Sequence, residues 1–406
     1  MPMNINKVIL FKLLIVSTFF CACSTKKHVN PISEQNPEKD STFSHQITND
    51  SLPTIRLTPT PEQFEYIHPQ THYSMAFDEL KAMLEGVKKP SFKWAVFVTE
   101  NAFFENTLNY RSFSDEIIKL ALIAKKWSQA NPLEGYNFSD SINLHLNAGI
   151  FHTLTDTVFD LERNIVNLPY VYDFNDCFAR ENWLNMFVTK LLISHKGNCH
   201  SLPFLYKMIA EELEVDAWLS FTPNHIYLRN RCKKTGWYNT EMTNASLPNE
   251  GWLMASGYVS TASIVSGIYM DTLGLKQSIA VCVNDLAKGY VRKMKNPDYN
   301  FVLACCDLGL EYYPNYAELL LLKAETHLKL FKAYEDQYGL NVQNESHPHS
   351  KTVRHHLREM EKSYALLAEY DYREIPEEMF VEWVEALENN GEKYQNKEIK
   401  TIFKAK

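Results

Sequence analysis

Between Leu202 and Thr243 the spacing of apolar residues changes period, and that change restricts the fold more than any other feature of the chain. Leu205, Met208, Ile209 and Leu213 recur at helical spacing, which puts them on one face of a helix over 202–213. Residues 217–221, 225–230 and 237–243 are then short, aromatic and β-branched or alternating, as half-buried strands are. Lys233-Lys234-Thr235-Gly236 supplies a turn between the last two. The middle of the chain is therefore predicted to be α+β, a helix packed on a small antiparallel sheet.

The flanks read as helical. Residues 77–85 and 94–109 carry apolar residues at helical spacing, and 114–130 presents Ile117, Ile118, Leu120, Ala121, Leu122, Ala124 and Trp127 on an amphipathic helix. Residues 169–172 look extended and 181–194 helical. Beyond 271, a helix over 301–313 ends at Pro314, and another over 317–334 carries Leu320, Leu321, Ala324, Leu328 and Phe331 as its stripe. This helix, Pro-Asn turn and helix resemble one or two degenerate tetratricopeptide units, interrupted over 338–350. His347, His349, His355 and His356 are expected to be a solvated cluster with no metal, and the charged tail 391–406 to fray.

Composition sets the remaining limits. The 406 residues include 45% hydrophobic and 13% aromatic side chains with only 13 glycines, enough for a large core spread over two or three domains. A net charge of −8 with no dense Lys/Arg stripe argues against nucleic-acid binding. The chain starts with Lys7 and Lys12 around an apolar run, 8–20, that is too short to span a bilayer. Phe20-Cys21-Ala22-Cys23 resembles a bacterial lipobox, with Cys23 the lipid-bearing residue. Residues 24–60, rich in Pro, Ser, Thr, Asn and Gln, are expected to be a flexible tether. The expected organisation is thus a signal peptide (1–23), tether (24–60), helical region (61–165), α+β domain (166–270), helical region (271–390) and tail (391–406). A lipid anchor places the folded part in the bacterial cell envelope, and Ser24, which is not an acidic retention residue, favours the outer membrane facing the periplasm. The six cysteines outside the signal have irregular spacings that suit neither a disulfide framework nor a zinc site.

The chemistry concentrates where Lys196-Gly197-Asn198-Cys199-His200-Ser201 leads into the helix. A thiol at a helix N-terminus meets unpaired backbone N–H groups and the positive end of the dipole, which favour thiolate. The same N–H groups can stabilise an oxyanion, and Gly197 allows close approach of backbone or substrate. His225 opens the following strand, and Glu241 lies on its hairpin partner, within cross-strand reach. An acid so placed fixes the imidazole tautomer. His195 and His200 are expected to point elsewhere, and Trp218, Trp237 and Trp252 to belong to the core.

Gly-Asn-Cys-His-Ser-Leu-Pro-Phe-Leu-Tyr-Lys-Met-Ile-Ala-Glu-Glu-Leu, then Pro-Asn-His-Ile-Tyr-Leu-Arg, then Trp-Tyr-Asn-Thr-Glu, resemble a bacterial transglutaminase-like domain of the papain-like cysteine-hydrolase superfamily, SirB-type. Tyr172-Asp173-Phe174 and the helix after it match the upstream part of that pattern, over about residues 168 to 335. The resemblance implies Cys199 as nucleophile, His225 as general base and acid, and Glu241 as orienting acid. The superfamily usually has Asp at this third place, and Asn239 is the alternative. It implies hydrolysis or transfer of a peptide or protein amide, possible cell-wall peptides included, through a thioester, with neither cofactor nor metal. The alternative is a non-catalytic envelope adaptor that uses the fold and its helical repeats to hold a protein partner.

Overall fold

Helices begin where the sequence offers caps. Thr71 and Ser74 form a capping box before α1 (His72–Glu85), and the side chains of Ser91 and Asn109 cap α2 (Phe92–Phe103) and α3 (Tyr110–Ala130). This computed structural model describes residues 71–404 apart from 134, 160–164, 340–346, 348 and 391–393. The expected signal, Cys23 and the tether lie outside the described residues. Helix α2 stops at Phe103, short of the expected end, because Glu105 and Asn106 take positive φ of 56° and 59° and turn the chain. After α4 (Ser141–Thr155) come a short hairpin of β1 (Val158–Phe159) and β2 (Ile165–Asn167), then β3 (Val171–Tyr172).

The helix expected over 181–194 is instead a 3₁₀ turn, Trp183–Met186, followed by α5 (Val188–Ser194). Glu100 on α2 causes the break. Its carboxylate accepts the Val188 N–H at 2.6 Å and the Thr189 N–H at 2.8 Å, so a new helix starts there against an opposing charge. β4 (Lys196–Gly197) then pairs in parallel with β3, and α6 (Ser201–Glu212) follows. Glu211, near the end of α6, returns the favour to α2 by accepting the Phe92 and Lys93 N–H groups at 2.9 and 2.7 Å.

The sheet has the order β5 (Trp218–Thr222), β6 (His225–Cys232), β7 (Gly236–Thr240), all antiparallel, with Ser220 opposite Tyr227 and Leu228 opposite Thr240. Gly236 at φ 83° closes the turn before β7, a conformation costly for any residue with a Cβ. Leu205, Met208 and Ile209 of α6 are fully buried, while Leu213 is half-buried. The rest is helical: α7 (Glu250–Ser256), α8 (Thr261–Val265), α9 (Leu275–Lys293), α10 (Tyr299–Tyr312), α11 (Ala317–Tyr338), α12 (Ser350–Glu369), α13 (Glu377–Asn390) and α14 (Lys397–Phe403). The fold class is α+β. The main core draws residues from Tyr73 to Phe403 and so joins the three folded stretches read from the sequence, while two smaller clusters lie between α11 and α12. Among the described residues no helix is long and apolar enough to cross a membrane.

Several expectations are corrected by packing. On α11 the buried face is Leu319, Leu320, Ala324, His327, Leu330 and Tyr334, while Leu321, Leu328 and Phe331 are only half-buried, because α12 packs on the His327 side. The histidine cluster is not solvated. His356 is buried beside His327, with their Nδ1 atoms 3.0 Å apart, and His347 and His349 pack on Tyr338. Among the described residues no group of three ligands converges on a metal-holding geometry. The described part of the tail, 394–404, is packed rather than frayed: Ile399 and Phe403 are buried, the latter against Phe151 and Tyr238. Trp237 is exposed on the sheet and Trp218 and Trp252 are half-buried, so none of the three is full core.

Burial, then the neighbouring imidazoles, lower the proton affinity of His327 to about 3, and burial and His355 lower that of His356 to about 4. Both titrate near 6.5 when released. The unfolded chain therefore binds more protons, and stability falls as pH drops below 6.5. Replacing the pair (His327→Phe with His356→Leu) is expected to flatten the acid limb of thermal stability. By pH 4 wild type loses about 6 kcal/mol more than the variant, roughly 3 from each histidine, measured from pH 7.

Candidate functional site

Cys199 lies in the turn that carries the chain from β4 into α6. The Asn198 side chain fixes that turn: its Oδ1 accepts the N–H groups of His200 at 3.0 Å and Ser201 at 3.2 Å. Ser201 Oγ accepts the Asn198 N–H at 3.1 Å and donates to the Asn185 carbonyl at 2.8 Å. A Cβ on Gly197 would stand 2.3 Å from Ser201 Oγ and 2.9 Å from Leu191 Cδ1. The close approach that Gly197 permits is therefore made by the protein itself. Of the helix-terminal N–H groups expected to be open to an oxyanion, those of His200 and Ser201 are held by Asn198. What remains is the N–H of Cys199, which has no acceptor among the described residues.

The neighbouring histidines point away. His200 bridges the Met186 carbonyl (Nδ1, 2.9 Å) and Asp285 (Nε2, 2.9 Å), bolting the turn to α9. His195, at φ 54°, ends α5 and stacks on Tyr170 with ring centroids 4.2 Å apart.

His225 and Glu241 meet. Nε2 of His225 lies 2.7 Å from Glu241 Oε2, with the two side chains 0% and 1% exposed. The register explains why a glutamate is needed. Leu228 pairs with Thr240, so Glu241, one residue past the paired strand, sits diagonally rather than directly opposite His225. Diagonal neighbours lie some 7–8 Å apart at the backbone, a span that suits the extra methylene of glutamate. The second Glu241 oxygen accepts the Thr243 N–H at 2.8 Å. Asn239 does not take this place: its Nδ2 donates to the Pro248 carbonyl at 3.3 Å.

Burial alone would strip His225 of its proton, but the Glu241 charge, the Cys199 thiol and the bond to Glu241 outweigh it and raise its pKa to about 10. Burial likewise opposes ionisation of Glu241, yet the imidazole charge, its hydrogen bond and the Thr243 N–H hold the carboxyl below its usual value. The pair is an imidazolium and a carboxylate. With Nε2 on Glu241, the remaining ring nitrogen, Nδ1, is buried and makes no hydrogen bond within the described residues. The Cys199 thiol is near enough to act on the imidazole electrostatically.

Three neighbours complete the surroundings. Tyr172 on β3 is buried, and burial followed by the thiols of Cys199 and Cys177 pushes its hydroxyl well above the usual value. Cys177 is a second half-buried thiol, its carbonyl held by Asn198 Nδ2 at 3.2 Å, and burial raises its pKa to about 11. Trp383 of α13 packs on the His225 ring. Sequence reasoning passed over Cys177 and Trp383, since neither belongs to a motif. All six described cysteines are free thiols. A scan of family models finds none that matches this chain, and neither the curated proteins nor the solved structures contain a match to it.

The sign of the pH dependence follows from the pair. His225 binds its proton more tightly folded than unfolded, so its contribution is complete below 6.5 and is lost as pH rises through about 10. Glu241 behaves in the opposite sense, contributing above 4.5 and losing its part as pH falls. Glu241→Gln is expected to lower stability by roughly 3 kcal/mol, most strongly between pH 4.5 and 6.5. Denaturation curves of variant and wild type should draw together toward pH 10.

Proposed function

We propose that the chain is a cysteine-dependent acyl-transfer enzyme of the transglutaminase-like type, with a papain-like α+β domain, anchored in the bacterial envelope through a lipid on Cys23. The observation that carries this reading is the buried His225–Glu241 pair, whose imidazole has a thiol at the start of α6 within electrostatic reach. Helix α6 packed on β5–β7 is the frame such a domain requires.

In this reading Cys199 is ionised against the His225 imidazolium and attacks the carbonyl carbon of an amide. A carbon–sulfur bond forms, and the Cys199 N–H is placed to stabilise the developing oxyanion. As the intermediate collapses, the carbon–nitrogen bond breaks and the Nδ1 proton passes to the leaving amine, giving a thioester and neutral imidazole. Water or a second amine then attacks the thioester, His225 takes its proton, and the sulfur leaves. Water makes the enzyme a peptidase or amidase, and an amine makes it a cross-linker. Glu241 positions the imidazole and stabilises its charged form throughout. Cys177, whose proton is held to about 11, is not the nucleophile. Location in the envelope makes cell-wall peptides and envelope proteins the substrates of choice, and the C-terminal helices offer a surface for a protein partner.

The test is alkylation of the full chain by iodoacetamide near neutral pH, read residue by residue by mass spectrometry. Cys199 is expected to react well ahead of Cys177, and His225→Ala to slow it by about tenfold or more. Labelling of Cys199 at an ordinary thiol's rate, indifferent to His225, would replace the enzyme by the non-catalytic adaptor.

A further inference from the structure

The His225 ring is packed by a helix that the chain supplies much later. The Trp383 ring stands edge to face with the imidazole, centroids 4.6 Å apart and planes at 78°, and is itself only 4% exposed. Phe380, one turn earlier on α13, packs on Trp383 at 5.4 Å and on Phe178 at 4.8 Å. Phe178 follows Cys177, so this aromatic row reaches the loop beside the nucleophile. Asn224, immediately before His225, donates Nδ2 to the Ile375 carbonyl at 3.3 Å, which ties the start of the same segment to the strand that carries the histidine.

The far end is tied as well. Asn249 N–H and Nδ2 both donate to the Tyr394 carbonyl at 3.0 Å, and Asn396 N–H donates to the Leu247 carbonyl at 2.7 Å. Tyr394 stacks on Trp252, and the Phe403 ring is sunk between Phe151 and Tyr238. The described residues of 375–403 are thus fastened on both sides of Trp383, at 375 and at 394–403, to other elements of the chain.

The position is not a neutral place for a tryptophan. Its indole N–H is buried with no acceptor among the described residues, a cost of about 1–3 kcal/mol that a phenylalanine would avoid. Resting on the reading of Cys199 and His225 as an acyl-transfer pair, we propose that Trp383 is a positioning residue of that site. Its ring holds the imidazole on edge and keeps water from the His225–Glu241 bond, so the site is complete only while the segment 375–403 is docked. Water admitted to that bond would raise the local dielectric and compete for both partners, weakening a charge pair that is strong because it is dry. Among the described residues, the titratable groups that act on the imidazole are Glu241, from the chain beyond β7, and Cys199, from the turn before α6. From α13 the facing group is the uncharged indole.

Iodoacetate tests this on the full-length protein, because its carboxylate is drawn to a thiolate that has an imidazolium beside it. Its rate with Cys199 falls when His225 loses its proton, at about 10 in the wild type. Trp383→Ala is expected to move that alkaline fall downward by about one pH unit or more and to slow carboxymethylation in the window so vacated by roughly tenfold. Trp383→Phe, which keeps a ring, should hold the fall near its wild-type place. An alkaline limb that stays put in Trp383→Ala, whatever happens to the melting temperature, would overturn the proposal and leave the ring as packing alone. Should Trp383→Ala not fold, Phe403→Ala loosens the same segment far from His225 and must move the limb in the same direction; an unmoved limb there overturns the proposal too. Identical profiles for wild type and His225→Ala would be a different failure, that of the Cys199–His225 pair itself.

Discussion

An imidazolium and a carboxylate buried together at 0% and 1% exposure make demands on everything around them. Neither charge survives alone in such a place, since the desolvation of one ion outweighs most single interactions. The sheet must therefore hold its register, so that Glu241 stays diagonal to His225, and the carboxylate's other oxygen must keep its Thr243 N–H. The rest of the structure answers the same requirement. The aromatic row from Phe178 to Trp383 packs on the imidazole, and the thiol of Cys199 acts on it electrostatically.

A second set of carboxylates acts on backbone rather than on charge. Glu100 and Glu211 each cap a helix that belongs to another part of the chain, joining α2 to α5 and to α6. Helix N-termini are favourable partners for anions, and burial alone would otherwise leave Glu100 protonated; its pKa is raised to about 7. Through these contacts the N-terminal helices become walls of the site's framework. His200 adds a third fastening, from the residue after Cys199 to Asp285 on α9.

What could be read in the sequence was local in period or in chain order. The helix beginning at Ser201, the strands of the β6–β7 hairpin and the pairing of His225 with Glu241 follow from alternation, a turn signal and the reach of one side chain. What could not be read depends on a distant partner. The break at Phe187 comes from Glu100, on another helix; His327 and His356 look like surface polar residues until α11 and α12 fold together. Trp383 carries the signal of any apolar residue on an amphipathic helix, and nothing in its neighbourhood says that it faces a histidine rather than a leucine. The part of Asn198 could not be read either, because its hold on the His200 and Ser201 N–H groups depends on the shape of the turn.

The strap that ends at Phe403 also gives the site a schedule. Residues 199–241 leave the ribosome long before Trp383, and the loop that must close to bring the tryptophan home is long, with a closing entropy that grows only slowly with its length. A nascent chain can therefore possess the thiol, the imidazole and the carboxylate while lacking the ring that shuts water out. The surroundings of the imidazole reach their final form only after synthesis has passed Phe403, so the dry side of the site is the last part of it to be made.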